Sequence, residues 1–252
     1  MALVLAGLAR FDGSQLGPNF WGARCLAEQA RSPTGETVRF KLMRICRWGL
    51  LAAAWLGAVS ASIWAMLEFE MTPAAVARSP ELWPQNSALV HSFERPTLLM
   101  FVHPHCPCSR ASVDELALLA TSCADELRMI VVFLKPPGFA GDWEKTDLWR
   151  SARQIPGVSL FCDDEGTETG RFRACVSGEV LVYDRQGHLM FHGGLTVSRG
   201  HHGDNPGRTA IELLLAGKLT PPQQTPVFGC SLIERTSTPG RVPAPHDPRE
   251  KI

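Results

Sequence analysis

The sequence predicts an α/β domain with a mixed sheet flanked by helices, carried behind one N-terminal transmembrane helix, and three patterns make the case. Residues 48–67 run for 20 positions without a formal charge, about the ~20 that a helix needs to cross a bilayer. From residue 97 onward, short apolar runs alternate with segments of helical spacing, which is how parallel strands joined by helices look in sequence. The last two strand-like runs flank Asp184-Arg185-Gln186-Gly187, a tight turn that returns the chain on itself and makes the sheet mixed.

The composition narrows the function classes. At 252 residues, 45% hydrophobic and 20% charged, the chain holds one well-buried domain plus extra segments. Its 25 basic and 25 acidic residues cancel, and that balance implies neither a nucleic-acid footprint nor an acidic partner. Eight cysteines, at 25, 46, 106, 108, 123, 162, 175 and 230, are too few for a disulfide scaffold in a chain of this length.

Residues 1–42 show no sustained period and read as an N-terminal extension. Met43 opens a basic stretch and an apolar run of the export-segment type, which fits a start at that position. The 43–68 segment reads as an anchor, because Arg44 and Arg47 flank one end, Glu68 and Glu70 the other, and Trp48 and Trp64 lie near the boundaries. Cleavage near residues 58–60 is the alternative, but the apolar run continues past it. Arg39, Lys41, Arg44 and Arg47 place the N-terminal side in the cytoplasm and the rest of the chain in the periplasm or its equivalent.

Residues 69–95, with Pro73, Pro80 and Pro84, form a linker expected to order at Leu82-Trp83. The domain follows over 96–218. Residues 97–102 are a buried strand, and a helix begins near Ser109, with Val113, Leu116, Ala117 and Ala120 on one face. Strands are expected at 127–134, 158–162, 179–183 and 188–192, and helices at 143–154 and 166–173. Asn205 as N-cap, Pro206 at the first helical position and Gly217 after Leu215 bound a final helix. Residues 219–252 are a Pro-rich tail, with its last dozen or so positions disordered. The apolar patch at 227–230, ending in Cys230, needs something to pack on.

The chemistry concentrates at residues 103–109. Cys106 and Cys108 fall at a strand-to-helix junction, where unpaired N–H groups and the positive end of a helix dipole favour a thiolate. Ser109 fits an N-cap, and Ser112 with Glu115 fits a capping box equally well; if Ser112 caps, the dipole reaches Cys106 less. Cys106 is expected at an exposed position with the lower pKa of the pair. A buried structural thiol is the bland alternative. A disulfide between positions i and i+2 strains the usual geometry and is easily reduced. Cys108 is nonetheless the first candidate to resolve a mixed disulfide on Cys106, and Cys230, on a tail that reads as mobile and can approach without strain, is the second.

Apolar strand, turn, first Cys, three-residue gap and a helix carrying Glu115-Leu116 form a layout that resembles the thioredoxin-like superfamily over residues 97–218. On that register Cys106 takes the nucleophile position, Cys108 a position usually filled by Pro, and Ser109 that of the second Cys. The family's cis-proline position falls on Gly178. With HPHCPCSRAS, GGLTVSRGHHGDN and TPVFGC, the chain is most similar to bacterial RedB-type, membrane-anchored thioredoxin-like proteins.

The resemblance implies a thiol-disulfide oxidoreductase with no cofactor. Its catalytic residues would be Cys106, Cys108 and Cys230, and its partners thiol or disulfide client proteins. A second reading is a protein that binds and delivers copper or zinc through Cys106, Cys108, His103, His105 and a loop histidine, His201, since thiolate and imidazole suit soft metals. A solvated loop is the bland reading of His201-His202. A structural subunit with vestigial cysteines is a third reading, because the motif departs from C-x-x-C.

Overall fold

The computed structural model describes residues 35–232. Most of the expected extension (1–34) and the end of the tail (233–252), whose last dozen or so positions are the ones expected to be disordered, lie outside the described residues. Contacts divide the chain into two units at Ser62/Ile63.

The first helix, α1 (Gly35–Met71), is 37 residues long. Its Val38–Met71 portion is the candidate membrane span, the single helix among the described residues long and apolar enough to cross a bilayer. Trp48, Leu51, Trp55, Ile63 and Trp64 are all exposed. By length and composition this apolar run is long enough to cross a bilayer as a helix.

After residue 96 the chain runs β1 (Thr97–Val102), α2 (Ser109–Cys123), β2 (Arg128–Lys135), α3 (Asp147–Arg153), β3 (Val158–Asp164), α4 (Thr167–Phe172), β4 (Glu179–Tyr183), β5 (Leu189–Gly194), α5 (Pro206–Leu215) and β6 (Gln223–Gln224). The sheet order is β3-β2-β1-β4-β5-β6. β1, β2 and β3 are parallel, β4 is antiparallel to both β1 and β5, and β6 pairs parallel to β5. This is the expected mixed sheet of a thioredoxin-like fold, with β6 as an addition that no local pattern marks.

Strand β1 is central and buried along its whole length, as its uncharged run requires. Successive side chains point to opposite faces. Leu98, Met100 and Val102 pack with Val113, Leu116 and Leu119 of α2 and with Ile211 and Leu214 of α5. Leu99 and Phe101 pack on the other face with Phe172, Tyr183, Leu89 and Leu232.

Several boundaries differ from expectation for local reasons. The helix expected at 143–154 starts only at Asp147, because the Thr146 side chain accepts the Trp149 N–H and caps it there. Asn205 is the N-cap of α5, but its Oδ1 accepts the Val197 N–H at 3.0 Å and caps nothing. Near Leu82-Trp83 the chain does order. Leu82 pairs with His188, the Trp83 N–H donates to the Gly187 carbonyl at 2.8 Å, and the Trp83 ring sits edge-on to Phe172 and Tyr183.

Leu116 carries β1 against α2 without any exposure. Leu116→Ala should destabilise the chain by about 2–5 kcal/mol, read from chemical denaturation, since a buried leucine loses its transfer free energy and leaves a cavity.

Candidate functional site

The site forms where β1 ends. The His103 N–H donates to the Ser177 hydroxyl at 2.8 Å, the Cys106 N–H to the His103 carbonyl at 3.0 Å, and the Ser109 N–H to the Cys106 carbonyl at 3.3 Å. These turns carry Cys106 ahead of α2 and put Cys108 at the N-cap, in helical conformation at φ −66° and ψ −28°. Neither Ser109 nor Ser112 caps the helix, contrary to both sequence readings. The first N–H groups of the helix are taken by the turn instead, with Arg110 donating to the Pro107 carbonyl at 3.4 Å. Ser109 is therefore free to turn its hydroxyl onto that of Ser177, 2.6 Å away.

The tail returns to this point and is fixed there. The Ser177 N–H donates to the Cys230 carbonyl, and the Leu232 N–H to the Cys175 carbonyl, both at 2.8 Å, around an antiparallel bridge between Val176 and Ser231. Val227, Phe228 and Leu232 are buried, so the apolar patch has its packing partner. Gly229 lies so close to the loop that a Cβ there would stand 1.9 Å from the Ser177 carbonyl oxygen. Arg199 donates to the Gly229 carbonyl and to those of Phe69 and Thr72, with its guanidinium 4.6 Å from the Phe69 ring centre. Cys230 is thus on pinned backbone, which corrects the expectation of a mobile tail.

The outcome is a cluster of three thiols. The sulfurs of Cys106, Cys108 and Cys230 all lie within 4.8 Å of one another, and all three cysteines are free. Cys106 is 4% exposed, which corrects the expectation that it is exposed. Cys230 is the accessible member.

Burial pushes the Cys106 thiol up, but hydrogen bonds from the Ser109 hydroxyl, the Cys230 thiol and the Cys230 and Ser109 backbone N–H groups outweigh it and leave the thiol below its ordinary value. Burial and then the charge of Cys106 push Cys108 up, partly offset by Cys230 and Arg199. Burial and the hydrogen bond given to Cys106 push Cys230 up to about 12. Negative charge in the cluster therefore settles first on Cys106. The ordering of Cys106 below Cys108 is the one expected, but its cause is the serine and the tail rather than an exposed helix start.

The histidines are not brought into this cluster. His103 accepts the His105 N–H on Nδ1 at 3.2 Å, and His105 Nε2 lies 3.3 Å from the Trp143 carbonyl. Both rings pack on Trp143. Burial and then the charge of His105 lower the pKa of His103. His201 is exposed in its loop. Cys175 stays outside the cluster too, with its thiol 3.5 Å from the Arg173 carbonyl.

The residues that sequence reasoning missed are the ones that place the loop at 175–177. Ser177 stands out only as the neighbour of Gly178, and nothing local marks its bonds to His103 and Ser109. Glu179, fully buried, accepts the N–H groups of Cys175 and Val176 at 2.8 and 3.1 Å, while its other oxygen meets His192 Nε2 at 2.8 Å. Gly178, at φ +91°, donates its N–H to the Phe101 carbonyl. A Cβ there would meet the Ser112 hydroxyl oxygen at 2.8 Å, so a side chain is excluded by conformation and by space.

Ser109→Ala should move the first thiolate titration to higher pH, because a hydrogen bond to the charged form is lost. The ultraviolet thiolate absorbance of the reduced chain across pH measures this, and an unshifted first step would show that Ser109 does not set the pKa of Cys106.

No protein-family model matches the chain, and no curated protein matches it. Among solved structures, it is similar to an uncharacterised conserved protein from Geobacillus kaustophilus, at 17% identity and a TM-score of 0.47, covering 67% of this chain and 95% of that one. It is also similar to a hypothetical protein from Sinorhizobium meliloti, at 21% identity and a TM-score of 0.43, over 64% of this chain and 93% of that one. A secreted Mycobacterium tuberculosis disulfide oxidoreductase homologous to E. coli DsbE aligns at 13% identity and a TM-score of 0.36, over 49% of this chain and 81% of that one. Likenesses at these levels carry no weight for activity; the thioredoxin-like fold is read from the order and direction of the strands.

Proposed function

We propose that this protein is a membrane-anchored, extracytoplasmic thiol-disulfide oxidoreductase of RedB type, with Cys106 as nucleophile and Cys230 as the resolving thiol. The observation that carries this reading is the pair of sulfurs at Cys106 and Cys230. Both stand on fixed backbone within 4.8 Å of each other, and Cys106 is the one biased toward the thiolate. No cofactor is needed for exchange between these groups.

The Cys106 thiolate attacks one sulfur of a client disulfide, so that a Cys106–client bond forms, the client's own S–S bond breaks, and its second sulfur leaves as thiolate. Cys230, giving up its proton, then attacks the Cys106 sulfur. A Cys106–Cys230 bond forms, the client leaves as a dithiol after protonation, and two electrons have passed from the protein to the client. Run backwards, the same steps oxidise a client dithiol. Cys108 is the poorer resolving group, because a bond to Cys106 would close a loop across a single intervening residue.

Client entry is governed by the tail. The 175–177 loop already spends two of its backbone groups on Cys230 and Leu232, so a client reaches Cys106 from the side of the accessible Cys230. The basic residues Arg39, Lys41, Arg44 and Arg47 precede the apolar run and Glu68 and Glu70 follow it, which supports a cytoplasmic N-terminus with residues 97–252 outside.

Cys106→Ser should abolish disulfide exchange with a model protein disulfide, and Cys230→Ser should accumulate a Cys106–client adduct on non-reducing gels. Cys108→Ser should keep most of the activity. Full activity in Cys106→Ser would overturn the nucleophile, and adducts trapped in Cys108→Ser but not in Cys230→Ser would exchange the resolving roles. A reporter active only in the cytoplasm, fused to the C-terminus, should be silent; a signal there would reverse the topology.

A further inference from the structure

The cluster at Cys106, Cys108 and Cys230 has a property that thiol exchange does not use. Exchange needs two sulfurs, and here three converge from two separate segments. The turn after β1 supplies Cys106 and Cys108. The tail supplies Cys230, held in place by its pairing with the 175–177 loop, by Gly229 against Ser177 and by Arg199 on the Gly229 carbonyl.

We infer that the reduced chain binds one Cu(I) ion through the three sulfurs of Cys106, Cys108 and Cys230, in a site without nitrogen ligands. Among the described residues, these three form the one group of three or more His, Cys, Asp or Glu side chains gathered closely enough to share an ion. Three sulfurs each about 2.3 Å from a central ion, at trigonal angles, stand about 4 Å apart. Separations of no more than 4.8 Å close to that value through shifts of less than about 1 Å in the side chains.

The donor set decides the metal. An all-thiolate set selects soft ions such as Cu(I). Zn(II) also takes thiolate, but structural sites use four protein ligands. His103 and His105, the nitrogen donors nearest in sequence, are turned toward each other and toward Trp143. Three thiolates around Cu(I) leave net negative charge, and the Arg199 guanidinium bonded to the carbonyl next to Cys230 partly offsets it.

The site exists only in the reduced chain. Oxidation of Cys106 and Cys230 to a disulfide sends two electrons and two protons to a disulfide oxidant and removes two of the three donors. Copper binding and exchange therefore exclude each other at any moment.

The test uses the full-length chain in detergent, reduced and without oxygen, titrated with Cu(I) against a chromophoric Cu(I) chelator. One ion per chain should bind, and X-ray absorption of the loaded, unmutated protein should show sulfur donors alone. Cys108→Ser and Cys230→Ser should each weaken binding by more than the roughly 10–100-fold that an outer-shell change costs, while Cys162→Ser should leave it unchanged. Oxidation of the chain with a small disulfide should abolish binding. Nitrogen donors in the spectrum, equal loss in Cys162→Ser, binding that survives oxidation, or uptake of Zn(II) in place of Cu(I) would each overturn the inference. A chain that exchanges disulfides but takes up no copper overturns this inference alone; one that takes up copper as described without exchanging disulfides supports it and overturns the oxidoreductase reading.

Discussion

Ser177 is the point on which the site depends. Its hydroxyl accepts the His103 N–H and meets the Ser109 hydroxyl, its N–H holds the Cys230 carbonyl, and its own carbonyl leaves room at residue 229 for glycine alone. One residue thus ties together the end of the central strand, the start of the following helix and the returning tail. Ser177 is completely buried, so each of these bonds replaces one that water would have made, and an unmade bond there would cost the full desolvation of the group. Glu179 stabilises the same loop from behind by accepting two of its N–H groups while facing His192.

The electrostatics follow from that geometry. A buried thiol ordinarily resists ionisation, and burial is the largest influence on Cys106. Hydrogen bonds reverse the outcome because they act on the charged form at contact distance. The Ser109 hydroxyl and backbone N–H act on the sulfur, and the tail adds the Cys230 thiol and backbone N–H. The tail therefore both covers Cys106 and activates it. The exposed position and the neighbouring histidines that the sequence suggested are not the cause: Cys106 is buried, and Ser109 and Cys230 supply the bonds that lower it.

Arg199 extends the same constraint to the end of α1. Its backbone N–H donates to the Glu70 carbonyl and its guanidinium to those of Phe69 and Thr72, so it satisfies carbonyls that the last helical turn leaves unpaired. The same side chain reaches Gly229 beside Cys230. The end of the candidate membrane span and the residue before the tail cysteine thus share one arginine.

Much of the fold was legible locally. The uncharged run at 97–102 reads as a buried strand, the hairpin followed from its turn, with Gly187 at φ +87°, and Pro206 with Gly217 bounded the last helix, because strand burial, turn conformation and helix ends are each set by a few neighbouring residues. Cys106 and Cys108 at a strand-to-helix junction were legible for the same reason. The convergence of Cys230 on them, the burial of Cys106, the role of Ser177 and the turning of His103 and His105 toward Trp143 were not. Each of these depends on a pairing between segments far apart in the chain, and such a pairing is decided by which backbone groups the folded sheet leaves open for the tail to fill.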